Sequence, residues 1–444
     1  MNSKFIVRIM NLIVLSIMLG LPLAWADDST LNGKSMAPSP EGGHIKVLWS
    51  KEYDPEGMDE LRASTGMRFS VFPLFPIVKD GLAMVVMASG DEGTHAQYFI
   101  LKLNDDGSIQ WQRALGADSV TAMVAVPDGY VLLQQQCDRQ QFKRFDNHGK
   151  LVKFRESLDF RKSTVPASER NVKMFARGKI IEYVWTECSK TVCTAWKYEM
   201  DAHGLFGTTK VDALFKISLP KASKGTVRTQ PQLSVLHRAP QEWIVNVSVG
   251  NVMEGDEEVK WGGWLYAIDE HGNTMWSVEY SDPKGGAFVR RLLPTADGYI
   301  IIGSTNYTVW RRKMPDKIPA TLEGLQSVLN RPAPSVKAEI KRWLLHINNK
   351  GQTHKQYLPK DGVSIEFMQH DAFVGLAGCG DTNVCELGEM DEQGQILWKT
   401  ASPVTLRGWA TAPAMIPDSS FIWTLGDGKE KLFAVSRIKI EEHR

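Results

Sequence analysis

The sequence predicts an all-β chain, a seven-bladed β-propeller closed by pairing its N-terminal strand with its C-terminal blade. Three observations carry that expectation. A four-residue turn signature recurs six times, a strongly apolar strand recurs seven times, and one strand stands apart from its own repeat. The displaced strand is Leu48-Trp49-Ser50-Lys51-Glu52-Tyr53, which matches Met275-Trp276-Ser277-Val278-Glu279-Tyr280. The second copy follows a turn and the first does not. A ring that joins its two ends within one sheet displaces a strand in this way.

The turns have the form [Asp/Asn]-x-x-Gly and begin at Asn104, Asp146, Asp201, Asp269, Asn348 and Asp391. An Asp or Asn side chain caps its own turn, and the glycine three residues later takes the left-handed conformation of a bulged hairpin. Four residues past the glycine stand Trp111, Lys153, Thr208, Trp276, Lys355 and Trp398, and Trp49 marks a seventh such position. An outer-strand tryptophan covers the apolar gap between adjacent sheets, so these rings are read as packing.

The apolar strands are Gly81–Val86, Gly129–Leu133, Lys179–Val184, Trp243–Val247, Gly298–Gly303, Phe373–Ala377 and Phe421–Leu425. Such nearly continuous runs suit inner strands buried on both faces between blades. Pro127-Asp128-Gly129 and Ala296-Asp297-Gly298 repeat the lead-in to this strand. After Leu432–Ile440 the last unit has neither turn nor outer strand, a vacancy that His44–Tyr53 fits. Turn spacings place insertions in the third, fourth and fifth blades. The largest, about 306–340, holds a helical apolar pattern at Leu322, Leu325 and Leu329 behind Pro319, a place for a partner to dock or for a loop to pack on its own blade.

Residues 1–26 read as a cleavable secretory signal, the alternative being an uncleaved N-terminal anchor. Lys4 and Arg8 precede the apolar run Ile9–Leu23, which is too short to span a bilayer, and Ala24-Trp25-Ala26 offers the cleavage site. Residues 27–43 form a linker and 44–444 the propeller, so the expected compartment is the periplasm, with no transmembrane anchor after cleavage. Without residues 1–26 the 52 Lys+Arg fall to 50 against 51 Asp+Glu, a formal charge of −1. That balance speaks against nucleic acid or an anionic membrane as partner and for recognition by shape. Cys188 with Cys193, and Cys379 with Cys385, are spaced to bridge hairpin ends in an oxidising compartment; each pair is also half of a zinc-site spacing, without a histidine beside it. Cys137 is left over, a buried thiol or a point of intermolecular pairing.

The turn and tryptophan spacing over residues 44–444 resembles exported bacterial β-propellers of the tryptophan-containing repeat type, similar to the outer-membrane assembly propeller lipoprotein and to quinoprotein-like repeats. The chain lacks their lipid-attachment cysteine, its turn is one residue shorter than Asp-x-x-Thr-Gly, and it has no vicinal Cys-Cys, so no quinone or other cofactor is expected.

No H-E-x-x-H, G-x-S-x-G, P-loop or Rossmann glycine pattern occurs. His148, His203 and His271 share one turn position in three different blades, so they do not converge on a metal. Propeller sites lie at the channel mouth. Arg62 and Arg68 before the first blade, Arg290 and Arg291 before the fifth, and Arg407 before the seventh are the candidates there, for an acidic ligand or an acidic protein loop, or for pairing with local carboxylates. The expected function is a monomeric, non-catalytic module that binds another protein in the cell envelope, as scaffold or as inhibitor. The alternative is an exported carbohydrate-active hydrolase or lyase using channel carboxylates.

Overall fold

The computed structural model describes residues 45–440 apart from 56–57, 59–61, 64–68, 91–95, 137–138, 157–170, 190, 204–211, 221–225, 229–230, 240–241, 254–257, 282–286, 306–308, 311–340, 358–363, 370–371, 378–385, 392–395, 402–408, 411–413, 417 and 427–432. The chain enters through β1 (Ile45–Tyr53) and then builds six blades in order. Blade 1 is β2 (Phe69–Val78), β3 (Leu82–Gly90), β4 (Gln97–Leu103) and β5 (Ile109–Gly116). Blade 2 is β6 (Ser119–Val126), β7 (Gly129–Gln136), β8 (Arg139–Asp146) and β9 (Leu151–Glu156). Blade 3 is β10 (Asn171–Arg177), β11 (Ile180–Cys188), β12 (Val192–Asp201) and β13 (Asp212–Ser218). Blade 4 comprises β14 (Thr226–Arg228), β15 (Gln232–Ala239), β16 (Glu242–Met253), β17 (Glu258–Asp269) and β18 (Thr274–Glu279).

Blade 5 is β19 (Ala287–Pro294), β20 (Gly298–Thr305), β22 (Lys341–Asn348) and β23 (Thr353–Tyr357), while β21 (Val309–Trp310), between β20 and β22 in sequence, leaves it to pair with β17 of blade 4. Blade 6 is β24 (Ser364–Gln369), β25 (Ala372–Ala377), β26 (Glu386–Met390) and β27 (Ile396–Ala401). Blade 7 takes β28 (Trp409–Ala410), β29 (Ala414–Met415), β30 (Ser420–Gly426) and β31 (Phe433–Ile440), and β1 completes it. β1 runs antiparallel to β31 from Ile45↔Ile440 to Tyr53↔Phe433, with one bulge at Leu48. The displaced strand therefore closes the ring as its sequence requires.

All seven apolar runs are strands, but each is second from the axis. The sequence pattern resolves three strands per unit; the structure has four, because a further strand precedes each run. These first strands lie against one another in neighbouring blades, as β6 does against β10 and β10 against β15. The core is correspondingly split into seven clusters, one at each interface between adjacent blades. The cluster between blades 7 and 1 joins Tyr53 and Met58 to Val71, Leu82, Met84 and Leu101 on one side and to Ile422, Phe433 and Val435 on the other.

The tryptophans pack as expected, in a geometry the sequence does not disclose. Trp49, Trp111 and Trp276 each reach forward to the turn of the next blade. The Trp49 indole N–H donates to the Asp105 carbonyl at 2.7 Å, and the Trp111 indole donates to the Asn147 carbonyl at 2.8 Å. The rings lie over the turn glycines Gly107 and Gly149, where a methyl group would come within 2.8 Å and 2.6 Å of them. Trp276 lies in the same way over Gly351. These glycines have φ of 77°, 75° and 76°, so left-handed backbone and ring contact both exclude a side chain. The Trp398 N–H bonds Glu389 of its own blade at 2.5 Å.

Candidate functional site: the two ends of the ring

Antiparallel strands give each blade two ends. The turns from first to second and from third to fourth strand lie at one end. The second-to-third hairpins and the connections between blades lie at the other. The first, the turn end, is tied blade to blade by recurring contacts. Asp146 illustrates the turn itself, its carboxylate accepting from the N–H groups of His148 and Lys150 at 2.9 Å. Tyr299 donates its hydroxyl to Glu242 of the preceding blade, and burial raises the pKa of that carboxyl. Arg144, buried, donates to Asp128, whose carboxylate stands 3.1 Å from His203 Nδ1 in blade 3. Burial opposes ionisation of Asp128, but the Arg144 hydrogen bond and charge together hold its pKa below the usual value. Arg437 joins Asp418 at 2.8 Å in blade 7 and reaches the Asp105 carbonyl of blade 1 at 3.4 Å.

Between blades 1 and 2, Lys79 and Lys102 lie 5.6 Å from the centroid of the Tyr130 ring. The Lys102 ammonium donates to the Lys79 carbonyl, and that of Lys79 to the carbonyls of Val126 and Pro127. Burial is the largest cause lowering the Lys102 pKa from 10.5 to about 8. Its folded pKa thus lies below its unfolded one, so the unfolded chain binds the extra proton between about pH 8 and 10.5 and stability rises with pH across that window. Denaturant unfolding of the protein and of Lys102→Met at pH 7.5, 9 and 10 is expected to show the wild-type stability, relative to the variant, rising with pH. A constant difference would place Lys102 outside this account.

The loop end carries what does not repeat. Cys188 and Cys193 are register partners at the end of the β11–β12 hairpin and form a disulfide, with Cα atoms 4.0 Å apart. β16 and β17 run on past the body of blade 4, pairing as far as Val252↔Val259. β14 adds to one side through Thr226↔Met253 and β21 to the other through Glu258↔Trp310. The result is an added sheet, β14-β16-β17-β21, drawn from two insertions and assembled at one place on the loop end.

Arg62 lies in the connection from β1 to blade 1, where Met58, Arg62 and Ala63 are helical. It is buried and donates to both carboxylate oxygens of Asp54, at 2.6 and 2.7 Å. Of the two readings of this arginine, acidic ligand or local carboxylate, the geometry matches the second: Asp54, eight residues away, holds its guanidinium. Arg290 and Arg291 are not on a loop either. They lie within β19, the first strand of blade 5, where the register shifts between Val289 and Arg291. The bulge makes Arg290 the extra residue and turns it out to solvent, its Nε 3.3 Å from Ser304 Oγ. Arg62 thus belongs to the junction of blades 7 and 1, and Arg290 to the first strand of blade 5. Arg68, Arg407, Leu322, Leu325, Leu329, Cys379, Cys385 and Cys137 lie outside the described residues.

An open groove of about 500 Å³ runs along the outer strand of blade 1, lined by Ile109–Arg113 together with Asp54 and His148. Trp111 is spent on the next blade, as described, and Arg113 donates to the Gly149 carbonyl at 3.0 Å. Among the described residues no group of three or more His, Cys, Asp or Glu side chains is placed to hold a metal ion.

No protein-family model and no curated protein matches the chain. Among solved structures, the AfRom2 CNH domain is 9% identical, with 90% of this chain and 100% of that one covered and a TM-score of 0.41. A subtype N11 neuraminidase-like protein of A/flat-faced bat/Peru/033/2010 is 8% identical, with 89% and 95% covered and a TM-score of 0.35. A chain from a study of two prolyl endopeptidases is 10% identical, with 84% and 50% covered and a TM-score of 0.39, so this protein spans half of its length. Likeness at that level carries neither the fold, which rests on the strand pairing above, nor a function.

Proposed function

We propose that the protein is an exported, non-catalytic propeller of the tryptophan-containing repeat type that binds another protein in the cell envelope through the loop end of its ring. The observation that supports this reading is the added sheet β14-β16-β17-β21. Segments from two separate insertions converge on one blade, at the loop end of the ring. A rigid scaffold with variable loops gathered at one end is the usual arrangement of a binding module. The turn end, by contrast, spends its polar side chains on neighbouring blades.

The test is isolation of the tagged full chain from periplasm, alongside a variant in which residues 251–260 are replaced by an Asn-Gly turn. A stoichiometric protein partner captured by the full chain and lost from the variant, with melting temperature unchanged, is the expected result. A bound glycan, or turnover of glycans by the purified protein, would instead establish the carbohydrate-active enzyme.

A further inference from the structure

The outer strand of blade 2 departs from the chain's balanced surface. Leu151, Val152 and Phe154 are 48%, 46% and 42% exposed, three large apolar side chains within four consecutive positions. Elsewhere among the described residues, large exposed apolar side chains stand singly or in adjacent pairs. The same strand lacks the tryptophan of blades 1, 4, 6 and 7 and carries Lys153 in its place. Lys150 and Lys153 are exposed and Lys143, directly opposite Phe154, is partly so. Arg155 lies over the Tyr198 ring of blade 3.

An edge strand with free backbone groups is a template for an added strand. Here the register shifts between Arg144 and Phe145, leaving Val152 as the extra residue. A bulge twists the strand and interrupts the regular ladder that a docking strand needs. What remains is a run of three exposed apolar side chains with Lys150, Lys153 and the half-buried Lys143 close by in sequence and register. That chemistry fits an anionic bilayer surface, which takes apolar tips into the headgroup boundary and attracts lysines to its charge. An acidic extended peptide would need the ladder that the bulge disturbs.

We infer that the outer edge of blade 2 is a peripheral contact for anionic lipid, separate from the loop end assigned to a protein partner. The experiment is co-sedimentation of the purified full chain with vesicles of phosphatidylcholine containing one quarter phosphatidylglycerol, against vesicles of phosphatidylcholine alone. Salt-sensitive binding to the anionic vesicles is expected. Lys150→Glu with Lys153→Glu should weaken it at least about thirtyfold, since each lysine near such a surface is worth about a factor of five. Phe154→Ser should weaken binding to the same vesicles without changing its salt dependence. All three positions are exposed, so unchanged melting of the variants confirms that they fold. Absence of vesicle binding, equal binding to neutral vesicles, or binding unaffected by both variants overturns the inference, as does capture of a poly-glutamate peptide with no vesicle binding.

Discussion

Deletion of residues 27–54 is expected to yield insoluble or rapidly proteolysed protein. The deletion removes the outer strand of blade 7 and with it every pair from Ile45↔Ile440 to Tyr53↔Phe433. It takes Tyr53, which is 6% exposed, stacks on Phe433 at 5.4 Å between ring centroids, and donates its hydroxyl to the Gly107 carbonyl. It also takes Trp49 from its place over Gly107 and leaves Arg62 buried without Asp54. Loss of a packed aromatic side chain costs about 3–5 kcal/mol, and here both Trp49 and Tyr53 go. Whole domains are stable by only about 5–15 kcal/mol. These losses together exhaust that margin. β31, alternately buried and half-buried along its length, would then present an unpaired apolar edge, which favours aggregation. Deletion of residues 27–43 alone leaves β1 whole and should leave the melting temperature unchanged. A soluble 27–54 deletion that melts like the full chain would contradict the closure.

The second large effect concerns the contact between one blade and the next. Trp111→Ala is expected to cost about 3–5 kcal/mol, because the side chain is 7% exposed and its indole N–H is satisfied by the Asn147 carbonyl. Gly149→Ala is expected to cost about 2–5 kcal/mol from two sources. Its φ of 75° is unfavourable for any residue with a Cβ, and that Cβ would lie 2.6 Å from the Trp111 ring. The steric part disappears once the indole is gone. The double variant should therefore be more stable than the sum of the single losses by about 1–3 kcal/mol. Denaturant unfolding of the four proteins measures this coupling, and strict additivity would mean that ring and glycine do not meet.

Ring and blade number were legible because their signals are local, and closure because the Trp49 strand repeats the Trp276 strand without a turn before it. A turn that caps itself with Asp146 or Asp269 and bends at a glycine announces its hairpin within four residues, and an apolar run such as Ile300-Ile301-Ile302 announces burial on both faces. The first strand of each blade was not legible. β6 reads as a short approach to Pro127-Asp128-Gly129, and β29 is two residues long. Arg290 was placed on a loop because a bulge inside a strand has no sequence signature. The Arg62–Asp54 pair fits the local-carboxylate reading, and its signal is an Asp directly after the closing strand, eight residues before the Arg. Arg144, Asp128 and His203 meet across two blades, a proximity that only the packing of blade 2 on blade 3 creates. Overall charge balance concealed the basic edge of blade 2, since a count over the chain averages away a cluster on one strand.

The pairing of β1 with β31 can be tested by cross-linking. Ser50 and Ser436 face each other in register, with hydroxyl oxygens 2.8 Å apart, although 386 residues separate them in sequence. The double variant Ser50→Cys with Ser436→Cys should form a disulfide between these two positions under mild oxidation, shown by peptide mapping, and migrate faster on a non-reducing denaturing gel. Neither single variant should do so. Closing so long a loop should also raise the unfolding midpoint. Two free thiols at these positions in the folded, oxidised double variant would show that the N-terminal strand does not complete the seventh blade.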